Sequence, residues 1–496
     1  MLREGKTPRV ACESGGIGRR ARLRGVWGDS YGFKSRLSHQ KANSYELAFF
    51  HSDERTGDFM TGEQNIIYEN IGVNVKGHMT VAGVDVTGLA TQYGTPLMIF
   101  DENRIRERCR EYKMAIEKHF SEDSMVLYAG KAFCCKEMYR IVASEGIGAD
   151  VVSSGELYTA YHAKFPMEKT FFHGNNKTIE DVRFAIDCGI GYFVVDNREE
   201  LDSIQEIASE RGITQKILLR ATPGIDPHTH AKISTGKVDS KFGVAVETGQ
   251  IEELTEYVMT LDNIELVGYH CHIGSQIFEI QPFCDAADIM LQFVIDMKER
   301  FGVETKLLNL GGGLGVRYVK DDPVISYDAC LHDISIHVKN RCAEKGIEMP
   351  RIVMEPGRSI VADTAVTVYK VGSVKTINGY KSYVSIDGGM TDNPRYALYG
   401  SAYTVSLANR MRDEQDFKCT VAGRCCESGD LIQENIYLPK PVRGDILAVA
   451  CTGAYNYSMA SNYNRVTRPA VVSVRDGKSK LIIERETVEY MTSLDK

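Results

Sequence analysis

The sequence lacks several features that mark other classes of protein. Its apolar runs, such as residues 446–451, are far shorter than the roughly 20 residues that a membrane-spanning helix needs. Its formal net charge of −8 argues against a general nucleic-acid-binding protein. Its 13 cysteines form no CxxC pair and no secretory signal is recognisable, so we expect reduced thiols and a cytoplasmic protein. A composition of 43% hydrophobic and 25% charged residues also excludes a disordered chain.

Residues 1–59 differ in charge from the rest of the sequence. They carry eleven basic and seven acidic residues, a balance of +4, whereas residues 60–496 balance at −12. This segment holds the single tryptophan, Trp27, and its stretch GGIGRRARLRGVWG has neither helical nor strand periodicity. We expect a non-native or disordered extension, with Met60 as the start of the functional chain. A basic nucleic-acid-binding arm or a transit peptide is the alternative.

From about residue 100 the sequence alternates short β-prone runs with amphipathic helical patterns. The predicted strands cover residues 125–129, 147–152, 170–173, 192–196, 216–221, 264–272, 305–310 and 351–355. The predicted helices cover residues 134–145, 155–164, 177–188, 198–211, 247–260, 281–301 and 327–346. Eight strand-then-helix units in roughly 250 residues predict a parallel (β/α)8 barrel. A doubly wound open sheet has similar local patterning, but it usually needs fewer units, and no GxGxxG follows the first strand.

After about residue 360 the apolar pattern changes to a period of two. Stretches such as AVTVYKVGSVKTI and DILAVACTG are typical of antiparallel strands. A similar stretch, HMTVAGVDV, precedes the barrel and is followed by PLMIFD. We therefore predict a barrel over residues 102–358 and a second, mainly antiparallel β-domain built from residues 60–101 and 359–496.

Reactive side chains collect where the predicted barrel strands end, which is where active sites of such barrels lie. These positions are Lys131, Asp150, His173, Asp196, Arg220, His272, the glycines 311–313, Glu355 and Arg358. A lysine directly after a buried strand, as in LYAGKAF, is costly to bury as a charge. Desolvation can lower the pKa of such a lysine, which suits a Schiff-base role; an exposed loop lysine is the alternative.

Three further motifs suggest what this lysine would hold. The glycines of NLGGGLG at 309–315 would let backbone amides approach a phosphate. In EPGR, Glu355 could pair with a pyridinium nitrogen and Arg358 could bind a phosphate or carboxylate, with a structural ion pair as the alternative. HCHIGSQ at 270–276 supplies a flat imidazole and a small hydroxyl, and no third ligand at suitable spacing supports a metal site there. Together these motifs describe a pyridoxal phosphate (PLP) site without a metal.

Over residues 65–496 the sequence resembles the diaminopimelate decarboxylases, which are fold-type III PLP enzymes. The motifs that carry the resemblance are YAGKAF, GADVVSSGEL, HTHAKISTGKVDSKFGV, HCHIGSQ, LNLGGGLG, EPGRSIV, NPRYALY, CCESGD and GAYNYSMASNYN. The resemblance implies an alanine racemase/ornithine decarboxylase-like fold, which is a PLP-binding (β/α)8 barrel with a mainly antiparallel β-domain. It also implies decarboxylation of meso-2,6-diaminopimelate to L-lysine and CO2 by a homodimer with shared active sites.

The resemblance further implies a role for each site residue. Lys131 would hold PLP in a Schiff base, and Cys426 of the CES motif would donate a proton. The cofactor-binding residues would be Lys131, His272, Ser275, Gly313, Glu355, Arg358 and Tyr455. The substrate-binding residues would be Arg358, Arg395, Tyr399, Glu427 and Tyr455. Cys426 and Glu427 would come from the second subunit, and the adjacent Cys425 makes the donor assignment depend on the alignment, with CESGD favouring Cys426.

Three other functions stay open at this stage. Another type III decarboxylase would act on ornithine, arginine or carboxynorspermidine, whose basic distal ends would favour acidic pocket residues, whereas NPRYALY supplies Arg395. A PLP racemase would need a Tyr/Lys acid–base pair and would lack the CES motif. A catalytically silent regulator would have lost residues such as Lys131 and Glu355, and both are present.

Overall fold

The computed structural model describes residues 60–226 and 239–496, and the fold is given for these residues. Two sequence predictions lie outside them. One is the character of residues 1–59, and the other is the first part of the HTHAKISTGKVDSKFGV motif, residues 228–238.

The N-terminal part supplies a small sheet and one strand of a larger sheet. Its elements are β1 (Ile71–Val73), β2 (Met79–Val81), β3 (Val84–Asp85), α1 (Val86–Tyr93), β4 (Leu97–Asp101) and α2 (Glu102–His119). Ala82 and Gly83 both have positive φ and close a tight hairpin between β2 and β3. Strands β1, β2 and β3 therefore form their own three-stranded sheet, and of the strands predicted for residues 60–101 only β4 joins the larger sheet.

Eight parallel strands then close into a barrel. The strands of this part are β5 (Met125–Ala129), β6 (Gly148–Val151), β7 (Thr170–Phe172), β8 (Tyr192–Val195), β9 (Gln215–Thr222), β10 (Val244–Ala245), β11 (Ile264–His270), β12 (Leu307–Asn309) and β13 (Arg351–Met354). The short strand β10 pairs with β9 and is not part of the ring. The ring of the other eight strands is closed, because β8 pairs with β9 and β13 pairs with β5. The barrel prediction is confirmed, and the doubly wound sheet is excluded.

Helices cover the outside of the barrel. They are α3 (Lys136–Ser144), α4 (Ser154–His162), α5 (Ile179–Asp187), α6 (Arg198–Arg211), α7 (Gln250–Val258), α8 (Gln281–Phe301), α9 (Tyr327–Lys345) and the short α10 (Arg358–Val361). Side chains of Ser153 and Asn197 cap the N-termini of α4 and α6, and left-handed Gly212 ends α6. Because α10 is so short, α2 packs against α9 and α3 and takes the place of an eighth helix.

The barrel interior is filled below the strand ends. A separate apolar cluster holds one buried side chain from each of seven strands: Leu127, Phe171, Val194, Leu218, Val267, Leu307 and Val353. The eighth strand, β6, contributes Gly148, where a Cβ would lie 2.5 Å from Leu127 Cδ2. The barrel is thus a packed core rather than a channel, and the C-terminal strand ends above this layer are where such barrels bind ligands.

The C-terminal part forms the second sheet. Its elements are β14 (Ala365–Ile377), β15 (Lys381–Ile386), α11 (Arg395–Tyr399), β16 (Val405–Leu407), β17 (Phe417–Ala422), β18 (Leu431–Leu438), β19 (Ile446–Ala450), β20 (Ala470–Arg475), β21 (Lys478–Ile483) and α12 (Val488–Thr492). The order is β18-β17-β15-β14-β4-β20-β21, with β19 also on β14 and β16 on β19. Most pairings are antiparallel, and β4 lies between β14 and β20, so both ends of the described chain build this sheet. Within the described residues, no helix combines the length and the apolar character that crossing a bilayer requires.

Candidate active site

Lys131 lies in a short helical turn directly after strand β5. The preceding Gly130 is required there, because a Cβ would lie 2.9 Å from the carbonyl oxygen of Asp150. Protein groups surround the lysine, but its side chain stays accessible because it projects into a cavity. Burial alone would lower the pKa of Lys131, but Tyr455, Asp150 and Glu355 outweigh burial and raise it. The sequence predicted a lowered pKa for Lys131 from desolvation, but its acidic and phenolic neighbours raise that pKa instead.

Two adjoining cavities open at the C-terminal ends of the barrel strands and share Lys131, Asp150, His272 and Glu355. The first has a volume of about 210 Å³ and the second about 310 Å³. The first is also lined by the predicted site residues Ser275, Gly313, Arg358, Arg395, Tyr399 and Tyr455. The structure thus brings together every residue with a predicted cofactor or substrate role except Cys426 and Glu427, and of the strand-end residues Asp196 lines neither cavity.

Glu355 follows β13 and is the most heavily contacted acid of this site. Its Oε1 accepts a hydrogen bond from Asn309 Nδ2 at 2.7 Å, and its Oε2 lies 3.2 Å from His270 Nε2. His173 Nε2 lies 2.8 Å from Oε1, an ion-pair distance at an angle too poor for a hydrogen bond. Burial would raise the pKa of Glu355, but His173 and His270 lower it well below its usual range. Glu355 is therefore a buried carboxylate held in its ionised form.

His272 is oriented by the glycine loop after β12. The backbone N–H of Gly312 donates to His272 Nδ1 at 3.3 Å, so the ring proton belongs on Nε2. Burial lowers the pKa of His272 well below its usual range, and the imidazole is neutral. A Cβ at Gly312 would lie 2.1 Å from the carbonyl oxygen of Glu355, and one at Gly313 would lie 2.4 Å from that of Gly274. Only glycine allows this loop to pack so closely against the neighbouring strand ends.

Arg358 and Ser275 form a pair at the first cavity. Arg358 donates to Ser275 Oγ from Nε at 3.1 Å and from Nη2 at 3.0 Å, and to the hydroxyl of Tyr318 from Nη1 at 2.9 Å. The guanidinium also lies 4.8 Å from the ring centre of Tyr455. Because the Ser275 oxygen accepts from Arg358, its own O–H remains available to donate to an anion.

Tyr455 has a left-handed backbone with a φ of 63°. Such a conformation costs a non-glycine residue about 1–3 kcal/mol and often occurs at functional sites. Its amide donates to the carbonyl of Ala132 at 2.8 Å, next to Lys131. At the preceding Gly453 a Cβ would lie only 1.8 Å from the carbonyl oxygen of Val361. The GAY motif is thus tied to both the lysine turn and the end of α10.

Arg395, at the start of α11, brings a second buried guanidinium to the first cavity. Its Nη1 donates to the hydroxyl of Tyr403 at 3.1 Å, and the guanidinium lies 5.0 Å from the ring centre of Tyr318. Burial opposes its charge, but Tyr318 and Tyr403 outweigh burial and raise the pKa of Arg395. The cavity therefore carries a permanent positive charge at this side.

Cys426 and Glu427 lie on a loop between β17 and β18 and are exposed. The Asp430 carboxylate fixes this loop by accepting from the backbone amide of Cys425 at 2.7 Å, and the amide of Cys426 donates to Asn464 Oδ1 at 2.7 Å. Burial, reinforced by Asp430, raises the pKa of the Cys425 thiol to about 11. Cys426 is thus the more exposed residue of the pair, and its assignment as proton donor stays a prediction.

Several residues that shape the site have no assigned role from sequence. Asn309 lies in NLGGGLG, His270 lies in HCHIGSQ, and His173 ends a predicted strand. Nothing in a single sequence links any of these residues to Glu355. Tyr318 and Tyr403 gave no signal at all. The sequence offered no third metal ligand near HCHIGSQ, but the fold supplies one. The ligand atoms of His173, His270 and Glu355 lie within 4.8 Å of one another.

The residues present fit pyridoxal phosphate. The hydroxyl of Ser275 and the guanidinium of Arg358 suit a phosphate group beside a glycine loop that a Cβ would obstruct. An ionised, buried Glu355 suits a pyridinium nitrogen, and Lys131 lies in the same cavity. Fold and site together define the class of barrel-type enzymes that use pyridoxal phosphate.

Comparisons with known proteins agree with this class. Residues 102–362 match the family described as "Pyridoxal-dependent decarboxylase, pyridoxal binding domain". Diaminopimelate decarboxylase from Bacillus subtilis (strain 168) is 45% identical over 422 residues, which are 85% of this chain and 96% of the relative. The crystal structure of diaminopimelate decarboxylase from M. jannaschii has a TM-score of 0.80 and 35% identity, covering 86% of this chain and 98% of that chain. The chain belongs to the diaminopimelate decarboxylase family.

Proposed function

We propose that the chain decarboxylates meso-2,6-diaminopimelate to L-lysine and CO2, the last step of lysine biosynthesis, with pyridoxal phosphate as cofactor. The observation that carries this substrate is the buried guanidinium of Arg395 in the same cavity as Lys131. Ornithine, arginine and carboxynorspermidine have a basic distal group, which would meet a like charge there. The distal carboxylate of diaminopimelate would instead form a charge-assisted pair.

The barrel residues hold the cofactor. When bound, pyridoxal phosphate supplies the electron sink for the pair left on Cα as CO2 departs. Lys131 would hold it through its amino group, Glu355 would pair with its ring nitrogen, and the imidazole of His272 would lie against its ring. Its phosphate would be held by Ser275, Gly313, Arg358 and Tyr455.

The substrate is held at both of its ends. Four side chains line the first cavity and bind the carboxylates of the substrate: Arg358, Arg395, Tyr399 and Tyr455. Fixing both ends orients the leaving carboxylate relative to the ring, and the enclosing side chains keep water away from the reacting carbon. An analogue without the distal carboxylate would leave Arg395 buried and without its anionic partner, which gives strong discrimination.

A second copy of the chain completes the site. Cys426 and Glu427 are exposed and line neither cavity of their own chain, yet the Asp430 hydrogen bonds fix their loop. In the homodimer, Cys426 donates the proton to Cα of the partner's substrate, and Glu427 meets its distal ammonium.

The enzyme acts in the cytoplasm. All cysteines of residues 60–226 and 239–496 are free thiols. Free thiols throughout a chain are typical of a reducing compartment.

A product assay tests the function. Purified enzyme saturated with PLP is incubated with meso-diaminopimelate, and amino acids and CO2 are quantified; we expect equimolar L-lysine and CO2. Parallel incubations with ornithine, arginine and carboxynorspermidine should give far less CO2. Release of a diamine from ornithine at comparable efficiency, or no lysine from diaminopimelate, would reject the proposed substrate.

Subunit complementation tests the shared site. Lys131→Ala and Cys426→Ala chains, each nearly inactive alone, are mixed under conditions in which subunit exchange is measured. If the residues act in trans, each heterodimer has one intact and one doubly defective site. Activity at equal mixing should then approach about a quarter of wild type. Exchange without any recovery would mean that both residues serve the same site in cis.

A further inference from the structure

Glu355 has more polar neighbours than pairing with a cofactor alone would need: two hydrogen-bond partners, His270 and Asn309, and the His173 imidazole at ion-pair distance. His173, His270, Asn309 and Glu355 lie at or just after the ends of four different barrel strands, β7, β11, β12 and β13, and all four are buried. His270, Asn309 and His173 each place a nitrogen within 3.2 Å of a Glu355 carboxylate oxygen. The function proposed above gives these three side chains no part.

We propose that His173, His270 and Asn309 are positioning residues that keep Glu355 ionised and leave its Oε2 as the acceptor for the ring nitrogen of the cofactor. This inference rests on the proposed role of Glu355 as the partner of that nitrogen. Its consequence is that the shared proton stays on the ring, where it strengthens the electron sink.

The distribution of donors over the two oxygens supports this assignment. An ionised carboxylate offers about four acceptor positions, two on each oxygen. Oε1 is contacted both by Asn309 Nδ2 at 2.7 Å and by His173 Nε2 at 2.8 Å. Oε2 is contacted only by His270 Nε2 among the described residues, at 3.2 Å. Each oxygen thus takes part in one hydrogen bond, but the His173 ring also crowds Oε1 without a hydrogen bond, so Oε2 is the less crowded oxygen and has room for a further donor.

The protonation state of His270 is consistent with a donor role. Burial lowers the pKa of His270 to about 3, so the ring is neutral and carries one proton. Its Nδ1 is buried and has no hydrogen-bond partner within the described part of the chain, whereas Nε2 faces Glu355. The proton therefore belongs on Nε2, where it donates to the carboxylate. Hydrogen bonds to an ionised carboxylate make it less basic, which favours a proton on the opposing nitrogen.

The same side chains could in principle form a metal site, since two imidazoles and one carboxylate are a common ligand set. A cation bound there would occupy the carboxylate that the ring nitrogen requires. Metal and cofactor would then compete, which makes metal binding a distinguishable outcome of the test.

The test uses the PLP-loaded enzyme with a 15N label in the pyridine ring. The 15N chemical shift reports whether the ring nitrogen is protonated, and titration of the apoenzyme with PLP gives its dissociation constant. His270→Leu removes the donor, and His270→Gln restores an N–H donor in a similar place. Asn309→Asp is nearly isosteric and replaces a donor by a like charge. His337→Leu is the matched control, because His337 Nε2 lies 2.8 Å from Asp288 on the outer helices, away from the cavities.

We expect a protonated ring in wild type, in His270→Gln and in His337→Leu. In His270→Leu and Asn309→Asp the 15N resonance should move toward the unprotonated position, and the PLP dissociation constant should rise about tenfold. If His270→Leu fails to fold, Asn309→Asp and the Gln variant still decide the question.

Three results would overturn the inference. Unchanged 15N shifts and PLP affinity in both His270→Leu and Asn309→Asp would remove the inference and leave the proposed function intact. Failure of the wild-type chain to bind PLP would remove both. Binding of one Zn²⁺ per apoenzyme chain that depends on His270, with PLP affinity unaffected by His270→Leu, would make the cluster a metal site instead.

Discussion

The cofactor side of the active site and the loop that carries Cys426 are held in different ways. On the cofactor side, Lys131, His272 and Glu355 follow three different barrel strands and face one another across a shared cavity. The loop before β18 is held by Asp430 and Asn464, but Cys426 and Glu427 are exposed and line neither cavity of their own chain.

This difference separates two parts of the chemistry. In the proposed function the barrel residues hold the cofactor, which supplies the electron sink. Proton delivery and recognition of the distal ammonium are there assigned to Cys426 and Glu427, which are exposed and line neither cavity of their own chain. Cofactor binding would then rest on the barrel, and substrate selection on residues of the β-domain and of a second subunit.

The largest expected effect is on the cofactor side. Lys131→Ala should abolish the absorbance band of lysine-bound PLP and lower kcat by at least about a thousandfold, because the group that holds the cofactor and releases product is gone. Lys136→Ala, at an exposed position five residues away, is the control and should behave as wild type. A Lys131→Ala enzyme with a borohydride-reducible PLP adduct and full turnover would show that another lysine serves.

The second prediction concerns the exposed loop. Cys426→Ala should lower kcat about 100-fold or more, because a positioned proton donor contributes that much, while PLP absorbance stays unchanged. Cys425→Ala is the matched control: its thiol is half-buried, its pKa is raised to about 11, and its loss should change kcat little. The reverse pattern, with Cys425 essential and Cys426 dispensable, would show that the donor has been assigned to the wrong cysteine.

The two parts of the site also differ in how far the sequence predicts them. Strand periodicity located each barrel strand within two residues, and active sites lie at strand ends, so Lys131 and Glu355 followed from pattern alone. Arg395 and Cys426 lie outside the barrel, and only the family resemblance assigned them. Asn309 could not be given its role, because its contact with Glu355 depends on two strands being neighbours in the closed ring.

Arg395 joins the two parts, because it belongs to the β-domain yet lines the barrel cavity. Arg395→Ala should lower kcat/KM for meso-diaminopimelate about 10- to 100-fold, since the charge-assisted pair with the distal carboxylate is worth about 1.5–3 kcal/mol. PLP binding should not change. Arg395→Lys keeps the positive charge but loses the planar guanidinium, so its kcat/KM should lie between those of wild type and Arg395→Ala. Unchanged kcat/KM in Arg395→Ala would favour a decarboxylase for a substrate with a basic distal end.

The smallest effect is expected from removing residues 1–59, a segment with a balance of +4 beside a remainder of −12. Every residue that lines the two cavities lies between Ala129 and Met459. A chain that starts at Met60 should therefore keep its Tm and its PLP absorbance, and its kcat/KM should stay within about twofold of the full-length value.

Both chains are compared at low and high ionic strength, because screening would reveal an electrostatic contribution of the basic segment. An insoluble or inactive truncated chain would show that the segment supports the fold, and salt-sensitive retention of RNA by the full-length chain alone would identify it as a nucleic-acid-binding arm.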